Sequence, residues 1–168
     1  NNTNGRSNNN NNNNNALDIL SILVSIYGSK ELFVDEYRIM LADKLLANLD
    51  YNTDKELHTL ELLKLRFGDA SMRQCEIMIK DTDDSKRIVT NIQSTLRQKQ
   101  QGGSVVDAAI ISHIFWPSIL QQDAIQHHPR IQAELDAFST EYGQLKNPRR
   151  LVWYNQLGTV QLELDVLE

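Results

Sequence analysis

The sequence has only one cysteine, Cys75, and it has no excess of positive charge. A single cysteine allows no internal disulfide bond, which is typical of a protein from a reducing compartment. The 22 acidic residues outnumber the 17 basic ones, giving a net charge of -5. The chain therefore has no general attraction to phosphate groups, and nucleic acid or an anionic membrane is disfavoured as its main partner.

Long apolar runs are also missing. The most apolar stretch, Leu17 to Tyr27, is interrupted by Asp18, Ser21 and Ser25. It is shorter than the roughly 18 apolar residues that a membrane-spanning helix needs. It also lacks the basic start and the cleavage-site pattern of a signal peptide. From the sequence we expect neither a membrane span nor a signal peptide.

No cluster of metal-binding residue types occurs either. His127 and His128 are adjacent, so their side chains diverge on a helix or a strand, and no carboxylate or thiol lies at ligand spacing from them. His58 and His113 lie beside apolar residues, as packed or hydrogen-bonded structural histidines do. The sequence therefore predicts no metal site and no cofactor.

Three further patterns match functional motifs only in part. Cys75 falls on an apolar helix face with Met72 and Met78, where burial favours the neutral thiol over the reactive thiolate. The acidic residues from Asp81 to Asp84 lack the glycine and the closing glutamate of a calcium loop. The pair Gly102-Gly103 lacks the lysine of a phosphate-binding loop. We therefore predict no catalytic residues.

Arg149 and Arg150, with Trp153 and Tyr154, form a short basic and aromatic patch. Such a patch can bind nucleic acid, but this one is small and belongs to an acidic chain. We interpret it instead as an aromatic strand anchored in the core, with the arginines at its solvent-exposed start.

The first 97 residues divide into a tail and a helical region. Residues 1–15 are rich in asparagine, which packs poorly and competes for its own backbone hydrogen bonds, so we predict a disordered tail. Apolar residues then recur at helical spacing over residues 16–97, which indicates a helical bundle. Gly28 is placed to end a first helix and Ser29 to cap a second. Thr53 and Glu56 form the capping box of a third, and Gly68 is placed to end it.

The helix that follows Gly68 loses its apolar stripe across Asp81 to Asp84 and recovers it from Ile88. Either a single helix has a polar, exposed middle, or Ser85 caps a new helix after a turn. The second interpretation is the one we favour.

Residues 98–104 are polar and contain two glycines, so they predict a linker. Beyond them, Val105 to Ile111 is a short run with β-branched residues, and Leu151 to Tyr154 is another. Val160 to Val166 alternates strictly between apolar and polar side chains. These three runs predict strands.

A helix is predicted between the first two strands. It begins at Pro129 with His128 as its cap and ends at Gly143. The predicted fold is therefore mainly α with an α+β C-terminal part, in which a helical bundle is followed by a small, incomplete β-sheet with one helix over residues 105–168.

Particular runs of residues carry a family resemblance over nearly all of the chain after Ala16. These runs are Tyr27 to Arg38, Leu41 to Leu46, Glu61 to Gly68, Cys75 to Asp81, Phe115 to Pro117 and Arg150 to Trp153. They resemble the cullin homology region, in the version that occurs in ubiquitin ligases of the anaphase-promoting type. The resemblance implies a helical bundle that leads into an α/β unit, with a winged-helix domain expected after Glu168.

The resemblance also implies a function. In cullin-type ligases a small zinc-binding RING subunit adds its N-terminal strand to the sheet and recruits a ubiquitin-charged conjugating enzyme, the E2. The implied partners are therefore the RING-finger subunit, other subunits of the anaphase-promoting complex and, indirectly, the E2. A role in cell-cycle control and residence in the nucleus and cytoplasm follow from the same resemblance, as does the absence of catalytic residues in the scaffold.

Sheet edges accept an added strand, so the predicted strands supply the candidate RING-binding positions. These positions are Val105, Val106, Ala108, Ile110, Val160, Leu162, Leu164 and Val166. Trp116, Trp153 and Leu151 are assigned to the core beneath the sheet. The alternative function is a helical protein-interaction adaptor unrelated to ubiquitin, whose leucine-rich faces bind a partner.

Overall fold

The computed structural model describes residues 19, 21–48, 50–99, 105–119 and 125–161. In this part of the chain the secondary structure is helical. The elements are α1 (residues 21–27), α2 (Lys30–Ala47), α3 (Asp54–Phe67), α4 (Asp69–Lys99), α5 (Pro129–Lys146) and a 3-10 turn (Asn155–Leu157). The chain forms two compact units. Unit 1 comprises Asn1–Arg87 and Ala108–Ser118, and unit 2 comprises Ile88–Asp107 and Ile119–Glu168.

The first helix boundaries confirm the sequence signals. Gly28 has a φ of +77°, a conformation that glycine adopts without strain, and its N–H bonds Val24 O at 3.1 Å. Ser29 caps α2, with its Oγ accepting from Leu32 N–H at 3.1 Å. Gly68, with a φ of +85°, ends α3. All three residues lie between consecutive helices.

The start of α3 is confirmed, but the predicted capping box is wrong. Thr53 makes no side-chain capping bond, and Asn52 Oδ1 instead accepts from Asp54 N–H at 3.1 Å. Glu56 is buried and pairs with Lys44 of α2, with 2.7 Å between Oε1 and Nζ. An ion pair between two helices has thus replaced the local bond that the pattern predicts.

The core of unit 1 lies between α2, α3 and the first half of α4. Phe33 in this core contacts three other aromatic rings, with its ring centroid 5.1 Å from that of Phe67, 5.8 Å from that of Tyr27 and 6.5 Å from that of Tyr37. Burying one such side chain stabilises a fold by about 1.5–3 kcal/mol. The other buried apolar side chains of this core are Leu41, Ala42, Leu45, Leu60, Leu63, Met72, Cys75, Met78, Ile79 and Trp116.

α4 runs without interruption from Asp69 to Lys99, so the predicted break before Ser85 is wrong. The alternative of a polar, exposed middle is also wrong in part. Thr82 and Ser85 are 4 % and 0 % exposed, and Thr82 Oγ1 donates to Met78 O at 3.2 Å. Thr82 and Ser85 are therefore buried, whereas Asp83 is exposed, and Asp81 and Ser85 bind residues 110 and 112 of unit 1.

Unit 2 contains the last part of α4 and all of α5. Pro129 begins α5 and His128 caps it, since His128 Nδ1 accepts from Arg130 N–H at 3.3 Å, as predicted. The predicted end at Gly143 is wrong, because the helix continues to Lys146. Unlike Gly28 and Gly68, Gly143 has no positive φ. The buried apolar side chains of this unit are Val89, Ile92, Leu96, Phe138 and Tyr142.

The predicted sheet is not present in the described residues. Residues 105–111 and 151–154 form no strand, and the 3-10 turn follows the second of these runs. Of the third predicted strand, residues 160 and 161 are irregular, and 162–166 lie outside the described residues, as do residues 1–15 and 100–104. Strands 105–111 and 151–154 are therefore wrong predictions, and the described fold is mainly α. The described helices include none that is both long and apolar enough to cross a membrane.

Candidate functional site

The strongest polar cluster of unit 1 is centred on Asp81, in the middle of α4. Its Oδ2 accepts from Ser112 N–H at 2.8 Å and from Trp116 Nε1–H at 2.9 Å, and its Oδ1 accepts from Ser112 Oγ at 3.1 Å. Hydrogen bonds to an ionised carboxylate are stronger than those between neutral groups. Three donors on one carboxylate thus fix Ser112 and Trp116 to the helix.

Ser85, one turn further along α4, completes this cluster. Its Oγ accepts from Ile110 N–H at 2.8 Å, and its single proton is shared between Asp81 O at 2.8 Å and Ile110 O at 3.0 Å. Both backbone groups of Ile110 are therefore within hydrogen-bonding distance of one hydroxyl. We call Asp81, Ser85, Ile110, Ser112 and Trp116 the Asp81 anchor.

The anchor explains why an apolar, β-branched run adopts no strand. An extended segment must satisfy its backbone donors and acceptors, and strand pairing is only one way to do so. Here the side chains of α4 supply the partners for Ile110 and Ser112. Trp116 is 4 % exposed, so its assignment to the core is confirmed, although no sheet lies above it in the described residues.

The candidate RING-binding positions differ in accessibility. Val105 is 84 % exposed and Val160 is 59 % exposed. Val106, Ala108 and Ile110 are half-buried, and Val106 O accepts from Gln93 Nε2 at 2.9 Å. Leu162, Leu164 and Val166 lie outside the described residues. Binding of a partner by these positions stays a prediction.

Cys75 is enclosed in the core of unit 1, as predicted. Its side chain is 1 % exposed, and burial raises the pKa of its thiol to about 11. The neighbouring hydroxyl of Tyr37 has its pKa raised to about 12, also mainly by burial. The thiol is therefore neutral near pH 7 and enclosed by the core.

The histidines do not form a site. His58 and His113 are exposed, so the expectation that they are packed in the fold is wrong. His127 is half-buried, and its Nε2 has no hydrogen-bond partner in the described part of the chain. The described residues contain no group of three His, Cys, Asp or Glu side chains that could hold a metal ion.

Ion pairs between helices were not predicted from the sequence. Lys64 of α3 lies between Glu61 and Glu76, at 3.0 and 2.8 Å, and the bond to Glu76 does most to raise its pKa. The bond to Lys44 likewise does most to hold the pKa of Glu56 below its usual value. Only Glu61 could be anticipated, since it lies three residues before Lys64 on the same helix.

Trp153 anchors the residues that follow α5. Its ring packs edge-on against Phe138 at 5.8 Å, and its Nε1–H donates to Ser139 Oγ at 2.9 Å. Leu151 is half-buried, whereas Arg149 and Arg150 are exposed. The predicted exposure of the arginines is confirmed. Trp153 and Leu151, which were assigned to the core, are only half-buried, and the segment is not a strand.

Several known proteins similar to this chain share one name. Anaphase-promoting complex subunit 2 of Arabidopsis thaliana is 45% identical over 155 residues, which cover 89% of this chain and 18% of that protein. The Homo sapiens protein of the same name is 42% identical over 154 residues, covering 90% of this chain and 19% of that protein. Cullin-3 of Schizosaccharomyces pombe is 25% identical over 141 residues, covering 82% of this chain and 18% of that protein.

The chain thus spans about a fifth of the length of the curated relatives that it matches. A comparison with models of protein families gave no match. The similarity to proteins of one name extends over about nine-tenths of the chain, and it therefore includes both units.

Proposed function

Since this chain carries the cullin homology and is homologous to a segment of anaphase-promoting complex subunit 2, we propose that it is part of the scaffold of a RING-type ubiquitin ligase. In this role it has no catalytic residue of its own. It holds a RING-finger subunit, and that subunit recruits the ubiquitin-charged E2 in the nucleus and cytoplasm. The single observation that supports the proposal most is the 42–45% identity over about nine-tenths of the chain.

The environment of Cys75 supports a role without covalent chemistry. Transfer of ubiquitin through a cysteine needs an accessible thiolate, and this thiol is buried with a pKa of about 11. A scaffold accelerates ubiquitin transfer in another way, because it holds the E2 close to the substrate and so removes much of the entropic cost of their encounter.

The RING subunit would bind by adding a strand to an extended segment of the scaffold. In the segment that begins at Val105, Ile110 has both of its backbone groups bound to Ser85, and Val106 O is bound to Gln93. We therefore assign the main contact to Val160, Leu162, Leu164 and Val166, whose alternation with polar residues suits a strand with one buried face. Val105, Val106 and Ala108 stay secondary candidate positions.

A pull-down of a RING-finger subunit by the 168-residue chain tests this assignment. Leu162→Pro combined with Leu164→Pro removes two backbone donors, and we expect it to abolish retention of the RING subunit. The matched control, Leu162→Thr combined with Leu164→Thr, keeps both N–H groups and the β-branched preference for strands, and it should retain binding more strongly than the proline variant. Equal binding by both variants, with an unchanged circular dichroism spectrum, would show that strand addition at these positions is wrong.

A further inference from the structure

A groove in unit 2 contains two arginines whose charges have no partner in the described residues. The groove has a volume of about 430 Å³ and is lined by Asp136, Ser139, Thr140, Gly143, Arg149, Arg150 and Leu151. The first four residues follow one face of α5 at helical spacing. The last three follow the turn after α5, where Arg149 N–H bonds Lys146 O at 2.9 Å.

The polar side chains of α5 that line the groove already form hydrogen bonds within the chain. Ser139 Oγ donates to Leu135 O at 2.7 Å and accepts from Trp153 Nε1–H. Thr140 Oγ1 donates to Asp136 O at 2.8 Å, and Asp136 Oδ1 accepts from Gln132 Nε2 at 2.8 Å. The described side chains thus leave the guanidinium groups of Arg149 and Arg150 as the donors that are available to a ligand.

Gly143 supplies a second, independent observation. Glycine is unfavourable in a helix interior, and here neither a positive φ nor crowding accounts for it. A Cβ at this position would have no atom within 4 Å. The missing side chain therefore serves no packing purpose within the described residues. Its effect is to leave the groove open along α5.

We propose that this groove binds a glutamate or aspartate side chain from an acidic segment of a partner protein. A guanidinium group presents paired N–H donors that match a carboxylate. Two guanidinium groups against the one carboxylate of Asp136 leave a single positive charge, which suits one carboxylate better than a dianionic phosphate. Leu151, half-buried in the wall, provides an apolar contact for the residue next to the bound acid. The proposed binding of an acidic side chain in this groove is independent of the proposed binding of a RING subunit.

Fluorescence anisotropy with the full 168-residue chain tests the proposal. The probe is a fluorescein-labelled peptide of alternating glutamate and leucine, compared with one of glutamine and leucine and one of phosphoserine and leucine. We expect the glutamate peptide to bind most tightly and to weaken as salt is added, because the attraction is between exposed charges. No binding of the glutamate peptide, equal binding of the glutamine peptide or tighter binding of the phosphoserine peptide would overturn the proposal.

Variants locate the binding site. Arg149→Gln and Arg150→Gln are each expected to weaken the glutamate peptide about tenfold, the loss of one charge-assisted contact. Gly143→Leu should weaken it similarly by filling the groove, with Gly143→Ala having a smaller effect. Arg130→Gln removes an exposed arginine from the other end of α5 and is the matched control, for which we expect wild-type affinity. An equal loss in Arg130→Gln, or no loss in both Arg149→Gln and Arg150→Gln, would show that the groove is not the site.

Discussion

The two units use their polar residues in opposite ways. In unit 1, Asp81, Thr82 and Ser85 lie within the fold and bind backbone or side-chain groups. In unit 2, Arg149 and Arg150 remain exposed beside a groove, and their guanidinium groups have no bond to a described residue. A polar residue inside a fold stabilises it only when it is fully hydrogen-bonded, whereas an exposed charge is free to bind another molecule. Unit 1 is therefore better suited to holding shape and unit 2 to making contacts.

The largest expected effect distinguishes the cores of the two units. Phe138→Ala empties the centre of unit 2, where the side chain is 0 % exposed, and should lower the free energy of unfolding by about 4 kcal/mol. Leu60→Ala does the same in unit 1 and should cost about 3 kcal/mol. Each unit contains one tryptophan, so urea unfolding followed by fluorescence in a Trp153→Phe background reports unit 1 through Trp116. In that background Leu60→Ala should shift the fluorescence transition more than Phe138→Ala does, and the reverse order would contradict the division into units.

The next effect tests whether the Asp81 anchor stabilises unit 1. Asp81→Ala leaves two donors of Ser112 and the indole N–H of Trp116 without their acceptor, and we expect a loss of about 3 kcal/mol in urea unfolding. Asp83→Ala, at an exposed position on the same helix, is the matched control and should change the stability by less than about 0.5 kcal/mol. Similar losses in the two variants would mean that the effect arises from helix charge and not from the anchor.

The smallest effect concerns the pH dependence of unit 1. Lys44 holds the pKa of Glu56 below its usual value in the folded state, so the folded carboxyl binds its proton less readily than the unfolded one. The resulting stability is fully present above the unfolded pKa and is lost as the pH falls through the folded pKa. Glu56→Gln should lower the free energy of unfolding by about 1 kcal/mol near pH 7 and less in acid. Unfolding at several pH values measures this. Glu36→Gln alters a carboxylate that is exposed and has no ion pair with a described residue, and it should leave the profile unchanged.

Local signals in the sequence were sufficient for most helix boundaries. Gly28, Ser29, Gly68 and Pro129 act through their own backbone conformation or a bond within three residues, and each is confirmed. Gly143 misled the prediction because a glycine permits a helix end without requiring one. Glu56 misled it because a distant lysine offered a stronger bond than the local N–H groups did.

The strands failed for a different reason. Exposure alternates along residues Val105 to Ile110 in the structure, so this segment has an outer and an inner side. The sequence predicted a strand here and did not predict this alternation. It could not indicate what the inner side contacts. The partners of Ile110 and Ser112 are side chains that precede them by 25 and 31 residues, and no local period reveals such pairs. The groove was not predicted either, because Gly143 and Arg150 line it together only after the turn that follows α5 has brought them close.

Taken alone, the sequence determined most helix boundaries, the caps of α2 and α5, the inert state of Cys75 and the family resemblance, since each depends on residue type and short spacing. Tertiary structure alone decided that α4 continues through its acidic middle and that Ser85 and Asp81 hold an extended segment in place of a strand. It also decided that two arginines line one groove with Gly143. The physical reason is that buried polar groups must be satisfied wherever a partner is near in space, and nearness in space is set by the packing of whole elements.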